Sequence, residues 1–213
     1  MVRTMTADEG PASVWAVCGG SGSGKSTLVT LLRERLPEGT LAVLHADAYY
    51  RDLSHLPPEV RAVTNFDHPD SVEEELLVAH VDALRQGAPV DMPRYDFANH
   101  ARLPEADRVQ PAPIVLVEGI LLFAFADLAE RYDWSVFLDV PEDVRLARRI
   151  QRDVLTRGRS EESVRSQFAA TVAPMHWEYV QPGADRADRV VTLDEDLAVV
   201  ADELAARIRT LLP

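Results

Sequence analysis

The residues best suited to chemistry form a glycine-rich segment that follows a short apolar run, Val14-Trp15-Ala16-Val17. The segment reads Gly19-Gly20-Ser21-Gly22-Ser23-Gly24-Lys25-Ser26-Thr27 and contains the pattern G-x-x-x-x-G-K-S. Glycines at this spacing let consecutive backbone N–H groups curl around a polyphosphate, and a following helix adds its positive N-terminal end. In this motif the lysine reaches the outer phosphates and the serine hydroxyl holds Mg²⁺. A glycine-rich surface turn is the plain alternative, but strand, spacing and Lys-Ser together favour a P-loop in which residues 20–27 bind a phosphate donor.

The lysine of this segment is unusual in the chain. Lys25 is the only lysine, and the other 21 basic residues are arginines. A compact ammonium group on a flexible stem suits a point charge placed against phosphate. We therefore predict that Lys25 contributes to catalysis as well as to donor binding.

Two carboxylates follow predicted strands further along the chain. Asp47 comes after the apolar run 41–44, and Glu118 comes after the apolar run 114–117. Ligands of open α/β sheets bind at the carboxyl ends of the strands, so both side chains should face the same ligand as the P-loop. Phosphoryl transfer needs a partner for Mg²⁺ and a group that receives the proton of the acceptor hydroxyl. A helix N-cap or a solvated strand end explains either residue alone, but two such residues beside a P-loop favour function.

Arginines are concentrated in one segment. A third of them lie within 21 residues: Arg145, Arg148, Arg149, Arg152, Arg157, Arg159 and Arg165. On a helix, positions 145, 149 and 152 share one face, and Leu146, Ile150 and Val154 are predicted to form the neighbouring apolar face. Gly158 is a predicted hinge. A solvated helix face explains some of these charges, but their number on an acidic protein indicates a lid that closes over phosphates.

Strands alternate with helices along the chain, which predicts an α/β domain with a parallel sheet and helices on both faces. The predicted strands are the run ending at Cys18 and the segments 41–44, 114–117, 136–140 and 190–193. Helices are predicted from Leu28 to Leu36, from Ser71 to Gly87, and over 144–155, 161–172 and 197–211. Residues 92–102 read as two short extended pieces joined by a turn.

Composition limits the class of protein. The chain has 213 residues, 46% of them hydrophobic, and a formal net charge of −13, which argues against general nucleic-acid binding. No apolar run is long enough to span a membrane, and the single cysteine, Cys18, fits a reducing cytoplasm. We expect one domain over 1–213, with a flexible leader at 1–12, a small β-rich substrate-binding insertion at about 48–105 and an Arg-rich helical lid at about 144–175.

Several further segments resemble the uridine kinase (uridine–cytidine kinase) family of P-loop nucleoside kinases. They are Asp47-Ala48-Tyr49-Tyr50-Arg51-Asp52-Leu53, Asn65-Phe66-Asp67-His68-Pro69-Asp70, Tyr95-Asp96-Phe97-Ala98-Asn99-His100, Glu118-Gly119-Ile120-Leu121, and the run from Arg148 to Arg159. The P-loop alone is shared by many NTPases, whereas the segments around Asp67 and Tyr95 are far more specific. The resemblance implies ATP or GTP as phosphate donor with Mg²⁺, a small nucleoside as acceptor, and a homo-oligomer, expected to be a tetramer.

The resemblance also implies roles for individual residues. Asp47 resembles the catalytic base for a nucleoside 5′-hydroxyl, and Asp67 the carboxylate that holds the ribose hydroxyls. The base pocket would be formed by Tyr95, Phe97 and His100, with His100 donating to a pyrimidine carbonyl. The remaining roles are substrate-side lid contacts for Arg149, Arg159 and Gln167, phosphate-side contacts for Arg152 and Arg157, a catalytic part for Arg152, and Mg²⁺ placement by Ser26 and Glu118.

Two alternatives stay open at this point. A related P-loop kinase acting on pantothenate or ribulose phosphate would share the phosphate loop, but the segment from Tyr95 to His100 resembles nucleoside kinases instead. A nucleotide-dependent switch is the second alternative. It often carries a guanine-reading Asn-Lys-x-Asp segment, which the single lysine at position 25 excludes.

Overall fold

The computed structural model describes residues 11–62 and 64–212. Its centre is a parallel sheet of five strands: β1 (Ser13–Gly19), β2 (Leu41–His45), β5 (Ile114–Gly119), β6 (Trp134–Asp139) and β7 (Arg189–Thr192). The strand order is β2-β5-β1-β6-β7. Two further strands, β3 (Val90–Asp96) and β4 (Ala101–Val109), form a separate antiparallel hairpin. The predicted α/β fold is confirmed, and the hairpin matches the predicted pair of extended pieces.

Helices connect the strands and cover the sheet. The longer ones are α1 (Lys25–Arg35), α3 (Glu74–Arg85), α5 (Glu142–Arg157), α6 (Glu161–Gln167) and α8 (Leu197–Arg209). The shorter ones are α2 (Pro58–Ala62), α4 (Ala126–Ala129) and α7 (Ala173–Met175), and α7 lies between two π-helical segments, Phe168–Val172 and His176–Val180. No helix within the described ranges is both long and apolar enough to cross a membrane.

The sheet is buried on both faces, as near-continuous apolar strands require. Along β1, Val14 and Cys18 belong to a core cluster that includes Leu77 of α3. The alternate residue Trp15 belongs to a second cluster on the opposite face, with Leu28 of α1. Because successive side chains of a strand point to opposite faces of the sheet, β1 contributes residues to two separate cores.

The start of α3 differs from the prediction. Ser71 does not cap the helix, because its hydroxyl donates to the carbonyls of Phe66 (3.0 Å) and His68 (2.6 Å) at the end of a 3₁₀ turn, Pro69–Ser71. The helix begins at Glu74. The serine therefore closes a local turn, a competing use of short hydroxyl side chains.

The face of α5 that packs inward is the charged one. Its buried residues are Arg145, Arg149 and Asp153, whereas Val154 is 42% exposed. The helix extends beyond the predicted 144–155 and ends at Arg157, and Gly158 follows it with a φ of 63°, the left-handed conformation that favours glycine. The polar stripe faces inward because it lines the phosphate loop and the cleft beside it.

Most of the predicted leader falls in residues 1–10, which lie outside the described residues. Ala12, the last residue assigned to it, is 3% exposed, and its N–H donates to the carbonyl of Arg85 at 3.2 Å. Position 12 thus belongs to the folded domain.

Candidate active site

The phosphate loop joins the end of β1 to the start of α1, as predicted. The ammonium group of Lys25 donates to the carbonyls of Gly19 (2.9 Å) and Gly20 (3.0 Å), so the side chain folds back over the loop. Burial lowers the pKa of Lys25, and the nearby carboxylate of Glu118 opposes that shift. The lysine is therefore held at the centre of the loop and close to an acidic partner.

Two glycines of the loop are required by the helix beneath it. A Cβ on Gly20 would lie 2.6 Å from Nη1 of Arg145, and one on Gly22 would collide with the carbonyl oxygen of the same residue. Gly22 also has a φ of 85°. Arg145 is 1% exposed, and its Nε donates to the carbonyl of Val140 at 3.0 Å. The loop thus rests directly on a buried guanidinium.

Glu118 lies between the loop and the second strand because β5 sits between β1 and β2. In the register of the sheet it pairs with Val17 on one side and His45 on the other. Its Oε1 accepts from the hydroxyl of Ser26 at 3.2 Å and from Nδ1 of His45 at 2.5 Å. Its Oε2 is buried and has no hydrogen-bond partner within residues 11–62 and 64–212. An unpaired carboxylate oxygen beside a serine hydroxyl offers the hard oxygen ligands that Mg²⁺ prefers.

The histidine changes the electrostatics of this carboxylate. Burial is the largest single influence on Glu118 and raises its pKa, but the hydrogen bond and charge of His45, the charge of Lys25 and the hydrogen bond from Ser26 together leave that pKa below its ordinary value. The same hydrogen bond raises the pKa of His45. Among the described residues, no three acidic, histidine or cysteine side chains form a cluster that could hold a metal by themselves. A Mg²⁺ ion here would rely on phosphate oxygens and water for its other ligands, which is its usual mode.

Asp47 lies just beyond β2, in a 3₁₀ turn formed by Ala46–Tyr49. Its side chain is exposed and lines the same cleft as Lys25, Ser26 and Glu118. The carboxylate accepts no hydrogen bond within the described part of the chain. It is therefore available to a ligand that enters the cleft from solvent.

The far end of the cleft is lined by aromatic rings. Tyr95 contacts Tyr50 (centroids 5.3 Å apart), Phe66 (6.1 Å) and Phe97 (5.4 Å), all in edge-on geometry. Burial raises the pKa of Tyr95 to about 12, and its hydroxyl has no hydrogen-bond partner among the described residues. A flat apolar ligand with a polar edge fits such a lining.

His100 closes this aromatic end from the turn between β3 and β4. Its φ of 50° is in the left-handed region, where a non-glycine residue is uncommon. The ring stacks on Phe66 with centroids 4.9 Å apart and planes at 11°. Burial lowers the pKa of His100, and nearby Arg159 and Arg157 lower it further. The ring is therefore neutral at pH 7, with one N–H to donate and one nitrogen to accept.

Asp67 sits between the aromatic end and the arginines. It is only 6% exposed yet lines the cleft, and burial raises its pKa, an effect that Arg149 partly opposes. Arg149 donates to the hydroxyl of Ser21 (2.9 Å) and to the side-chain oxygen of Gln167 (3.0 Å). This arginine thus ties the phosphate loop to α6.

Arginines of α5 and the turn after it form the roof of the cleft. The guanidinium of Arg157 lies over the ring of Phe97, 4.7 Å from its centroid, and Arg159 also donates to Gln167. Burial lowers the pKa of Arg157. A cation stacked on an aromatic ring of the opposite hairpin brings the predicted lid and the predicted insertion together.

One cleft unites most of the residues that the sequence singled out. Its lining includes Ser21, Lys25, Ser26, Asp47, Asp67, Tyr95, Phe97, His100, Glu118, Arg149, Arg152, Arg157, Arg159 and Gln167. The side chains of five loop residues lie elsewhere or are absent: Gly20, Gly22, Ser23, Gly24 and Thr27. The Ser23 side chain is buried and that of Thr27 is exposed, so these loop positions could reach a phosphate through backbone N–H groups.

Sequence reasoning assigned no role to four residues of this region: His45, Tyr50, Phe66 and Asp153. The aromatic pair lies within the family-like segments, so a reading of those segments as pocket walls would have found it. His45 ends β2, and the pairing of β2 with β5 places it opposite Glu118. The order of the strands along the chain does not reveal that pairing. Asp153 reads as a surface charge on a helix until the packing of α5 is known.

Comparison with known proteins agrees with this geometry. A family model described as phosphoribulokinase / uridine kinase family matches residues 14–199. A uridine kinase of Chloroflexus aurantiacus is 45% identical over 196 residues, 92% of this chain and 94% of the relative. A uridine kinase of Salmonella paratyphi A is 39% identical over 208 residues, 96% of this chain and 98% of the relative.

A solved structure shares the fold. D-glycerate 3-kinase from Cryptococcus neoformans superposes with a TM-score of 0.61 at 18% identity, over 87% of this chain and 88% of that one. The family match runs from the first strand of the sheet into the last helix. The chain therefore belongs to the phosphoribulokinase / uridine kinase family and is a kinase.

Proposed function

We propose that this enzyme transfers the γ-phosphate of ATP or GTP to the 5′-hydroxyl of uridine or cytidine, forming UMP or CMP. The observation that carries the proposal is the continuity of one cleft from the phosphate loop, past Asp47, to a pocket of Asp67 and aromatic rings. A kinase needs the donor phosphates and the acceptor hydroxyl in one water-poor space. The relatives named uridine kinase support a nucleoside as the acceptor.

The donor would lie along the phosphate loop. Lys25 is placed to exchange its bonds with the loop carbonyls for bonds to phosphate oxygens, and Ser21 and Ser26 flank it in the cleft. Mg²⁺, when bound, neutralises charge on the donor phosphates, and Ser26 and Glu118 would hold it directly or through water. Arg152 and Arg157 face the same space from above and would stabilise charge on the transferred group.

The acceptor would lie in the aromatic end of the cleft. Asp67 offers two carboxylate oxygens, which suits the two hydroxyl donors of a ribose. Tyr95 and Phe97 supply flat apolar walls, and the neutral ring of His100 supplies a donor for the edge of a pyrimidine. Arg149, Arg159 and Gln167 would close the pocket from the lid side.

Asp47 would receive the proton of the acceptor hydroxyl. Its exposed carboxylate lines the same cleft as Lys25 and Asp67. As the oxygen of the 5′-hydroxyl bonds to the γ-phosphorus, the bond from phosphorus to the bridging oxygen of the donor breaks. The proton leaves to Asp47, and the diphosphate carries the negative charge away.

A kinase for pantothenate or ribulose phosphate would use the same donor site. Neither acceptor offers an aromatic ring to stack in the pocket formed by Tyr50, Phe66, Tyr95 and Phe97. A phosphorylated acceptor would also place its charge beside the buried carboxylate of Asp67. The pocket therefore supports the nucleoside over both.

The test is an acceptor panel with the purified enzyme, ATP and Mg²⁺. Uridine, cytidine, adenosine, guanosine, pantothenate and ribulose 5-phosphate are each scored for the phosphorylated product, with Lys25→Ala as the background. We expect the pyrimidine ribonucleosides to give 5′-monophosphates and to raise ADP formation. Faster phosphorylation of a purine nucleoside, or of either non-nucleoside acceptor, would contradict the pocket assignment. ADP formation that ignores every acceptor would favour a switch instead.

Two finer points belong to the same proposal. Replacing ATP by GTP in the panel decides the preferred donor. The expected homo-oligomer is tested by light scattering of the same preparation.

A further inference from the structure

The arginine roof of the cleft is built around a buried carboxylate, Asp153. Its side chain is 0% exposed, although it belongs to α5, a helix with many charged residues. Isolated buried charges are costly, so a fully buried carboxylate needs partners of opposite charge. Asp153 has four of them.

The partners all come from the predicted lid, and all line the cleft. Oδ1 of Asp153 accepts from Nε of Arg152 at 2.8 Å and lies 3.5 Å from Nη1 of Arg157. Oδ2 lies 3.6 Å from Nε of Arg149 and 3.8 Å from Nη1 of Arg159. The backbone carbonyl of Asp153 also accepts from the N–H groups of Gly158 and Arg159, which fixes the turn that follows α5 and carries Arg159.

Only one of these four contacts is a hydrogen bond. Oδ2 is buried and has no hydrogen-bond partner among the described residues. The guanidinium groups of Arg149, Arg157 and Arg159 are therefore held near the carboxylate by charge, but they donate no hydrogen bond to it. Each keeps N–H donors that could turn toward an anion in the cleft.

We propose that Asp153 is the positioning residue of the phosphate site, acting as an internal anion that holds the four arginines toward the cleft before the donor binds. Without it, the four guanidinium groups would lose the carboxylate that lies within 4 Å of each of them and would repel one another more strongly. With the donor present, its phosphate oxygens would take over part of that role. The inference rests on the proposed function only in assigning a polyphosphate to the cleft, and it is independent of the acceptor.

This role makes a prediction that separates it from a purely structural one. Asp153→Asn keeps the shape and one acceptor oxygen but removes the charge. The free variant should lose stability, while inorganic tripolyphosphate should restore more of it than in the native enzyme. Its dissociation constant for tripolyphosphate should fall by about three- to tenfold, because the arginines no longer share their charge with a carboxylate. The turnover number should fall by about 10- to 100-fold, because the arginines are no longer held in place.

The experiment measures tripolyphosphate affinity by calorimetry, thermal unfolding with and without tripolyphosphate, and steady-state kinetics. The matched control is Asp143→Asn, an exposed carboxylate in the first turn of the same helix, which should behave as the native enzyme in all three assays. Tighter tripolyphosphate binding together with slower turnover in Asp153→Asn supports the proposal. Equal or weaker binding, an equal loss of unfolding temperature with and without tripolyphosphate, or native turnover overturns it.

A second variant covers the case in which Asp153→Asn does not fold. Asp153→Glu keeps the charge but moves the carboxylate by one methylene group. Tripolyphosphate affinity should then stay within about twofold of native while turnover falls about tenfold. Native turnover in Asp153→Glu would overturn the proposal. The tripolyphosphate assays contain no nucleoside, so a failed acceptor panel and a failed role for Asp153 give different results.

Discussion

Replacing Asp67 by asparagine should make the protein more stable and the enzyme worse. The carboxylate is 6% exposed, and within the described residues it accepts no hydrogen bond and has no basic partner within 4 Å. Burial accordingly raises its pKa, with Arg149 in partial opposition. We propose that the energetic cost of the buried charge is retained because the cleft needs an acceptor for ribose hydroxyls, a common exchange of stability for activity.

The sign of the pH dependence follows from the raised pKa. Because the folded protein holds the proton of Asp67 more tightly than the unfolded chain does, this residue favours folding at low pH. That contribution is complete below the ordinary pKa of 3.8 and is lost as the pH rises through the raised folded value. At pH 7 the unfolded chain ionises Asp67 freely, whereas burial opposes that ionisation in the folded protein, and the neutral amide of asparagine removes this cost.

The size of the effect is set by the burial of an unpaired polar group, about 1–3 kcal/mol. For a chain of this length, each kcal/mol shifts the unfolding temperature by about 2–4 °C. We expect Asp67→Asn to unfold several degrees higher than native at pH 7 and to lose this advantage below pH 4. Hydrogen bonds to a charged acceptor are worth about 1.5–3 kcal/mol, so KM for the nucleoside should rise by about 10- to 100-fold.

The assays are thermal unfolding between pH 3 and pH 8 and steady-state kinetics with uridine and cytidine. Asp70→Asn is the control, because that carboxylate is three residues away and its side chain is 93% exposed. Its unfolding temperature and nucleoside KM should stay near native. An Asp67→Asn protein that is less stable than native at pH 7 would refute the reasoning about burial, and one with native KM would remove Asp67 from the ribose site.

Three further predictions concern the remaining residues of the cleft. Lys25→Ala should fold normally but lose turnover, because the loop keeps its backbone while losing its central charge. Near-native turnover would contradict the donor-site assignment. In the native enzyme, ATP should protect this one lysine from amine-directed labelling. Asp47→Asn should lower kcat by about 10²–10⁴-fold while separate binding assays give near-native affinities for ATP and nucleoside. A kcat within a few-fold of native would exclude Asp47 as the base, and a collapse in ATP binding would make it chiefly a metal-site residue. His100→Ala should raise KM for uridine and cytidine and weaken discrimination against purine nucleosides, since an unpaired buried polar group on the base costs about 1–3 kcal/mol; unchanged selectivity in the acceptor panel would remove His100 from base recognition.

The fold and the placement of the phosphate loop were predictable from the sequence because their signals are local. A glycine-rich loop between an apolar strand and a helix restricts its own backbone, so the positions of Lys25 and Ser26 follow from a few neighbouring residues. The alternation of buried strands with helices likewise predicts a parallel sheet, because parallel strands need long crossover connections. Even Gly158 as the end of α5 follows from the conformational freedom of a single residue.

Tertiary structure decided which charged residues face inward. The periodicity of α5 predicted an apolar face at 146, 150 and 154, yet the helix buries Arg145, Arg149 and Asp153. Hydrophobic patterning assumes that charge faces water, and this assumption fails where a helix lies between a phosphate loop and a ligand cleft. The carboxylate of Asp153 can be buried only because four arginines surround it, and one of them, Arg159, lies beyond the helix end.

The contact between His45 and Glu118 has the same origin. These residues are far apart in the chain, and they become neighbours because β5 pairs with β2 in the strand order β2-β5-β1-β6-β7. The apolar pattern of a strand predicts that it is buried but does not specify its neighbour, since every buried parallel strand has similar side chains. The sequence by itself therefore determined the loop, the elements and the catalytic candidates, whereas strand order and helix packing decided which charges meet, because those depend on contacts between distant segments.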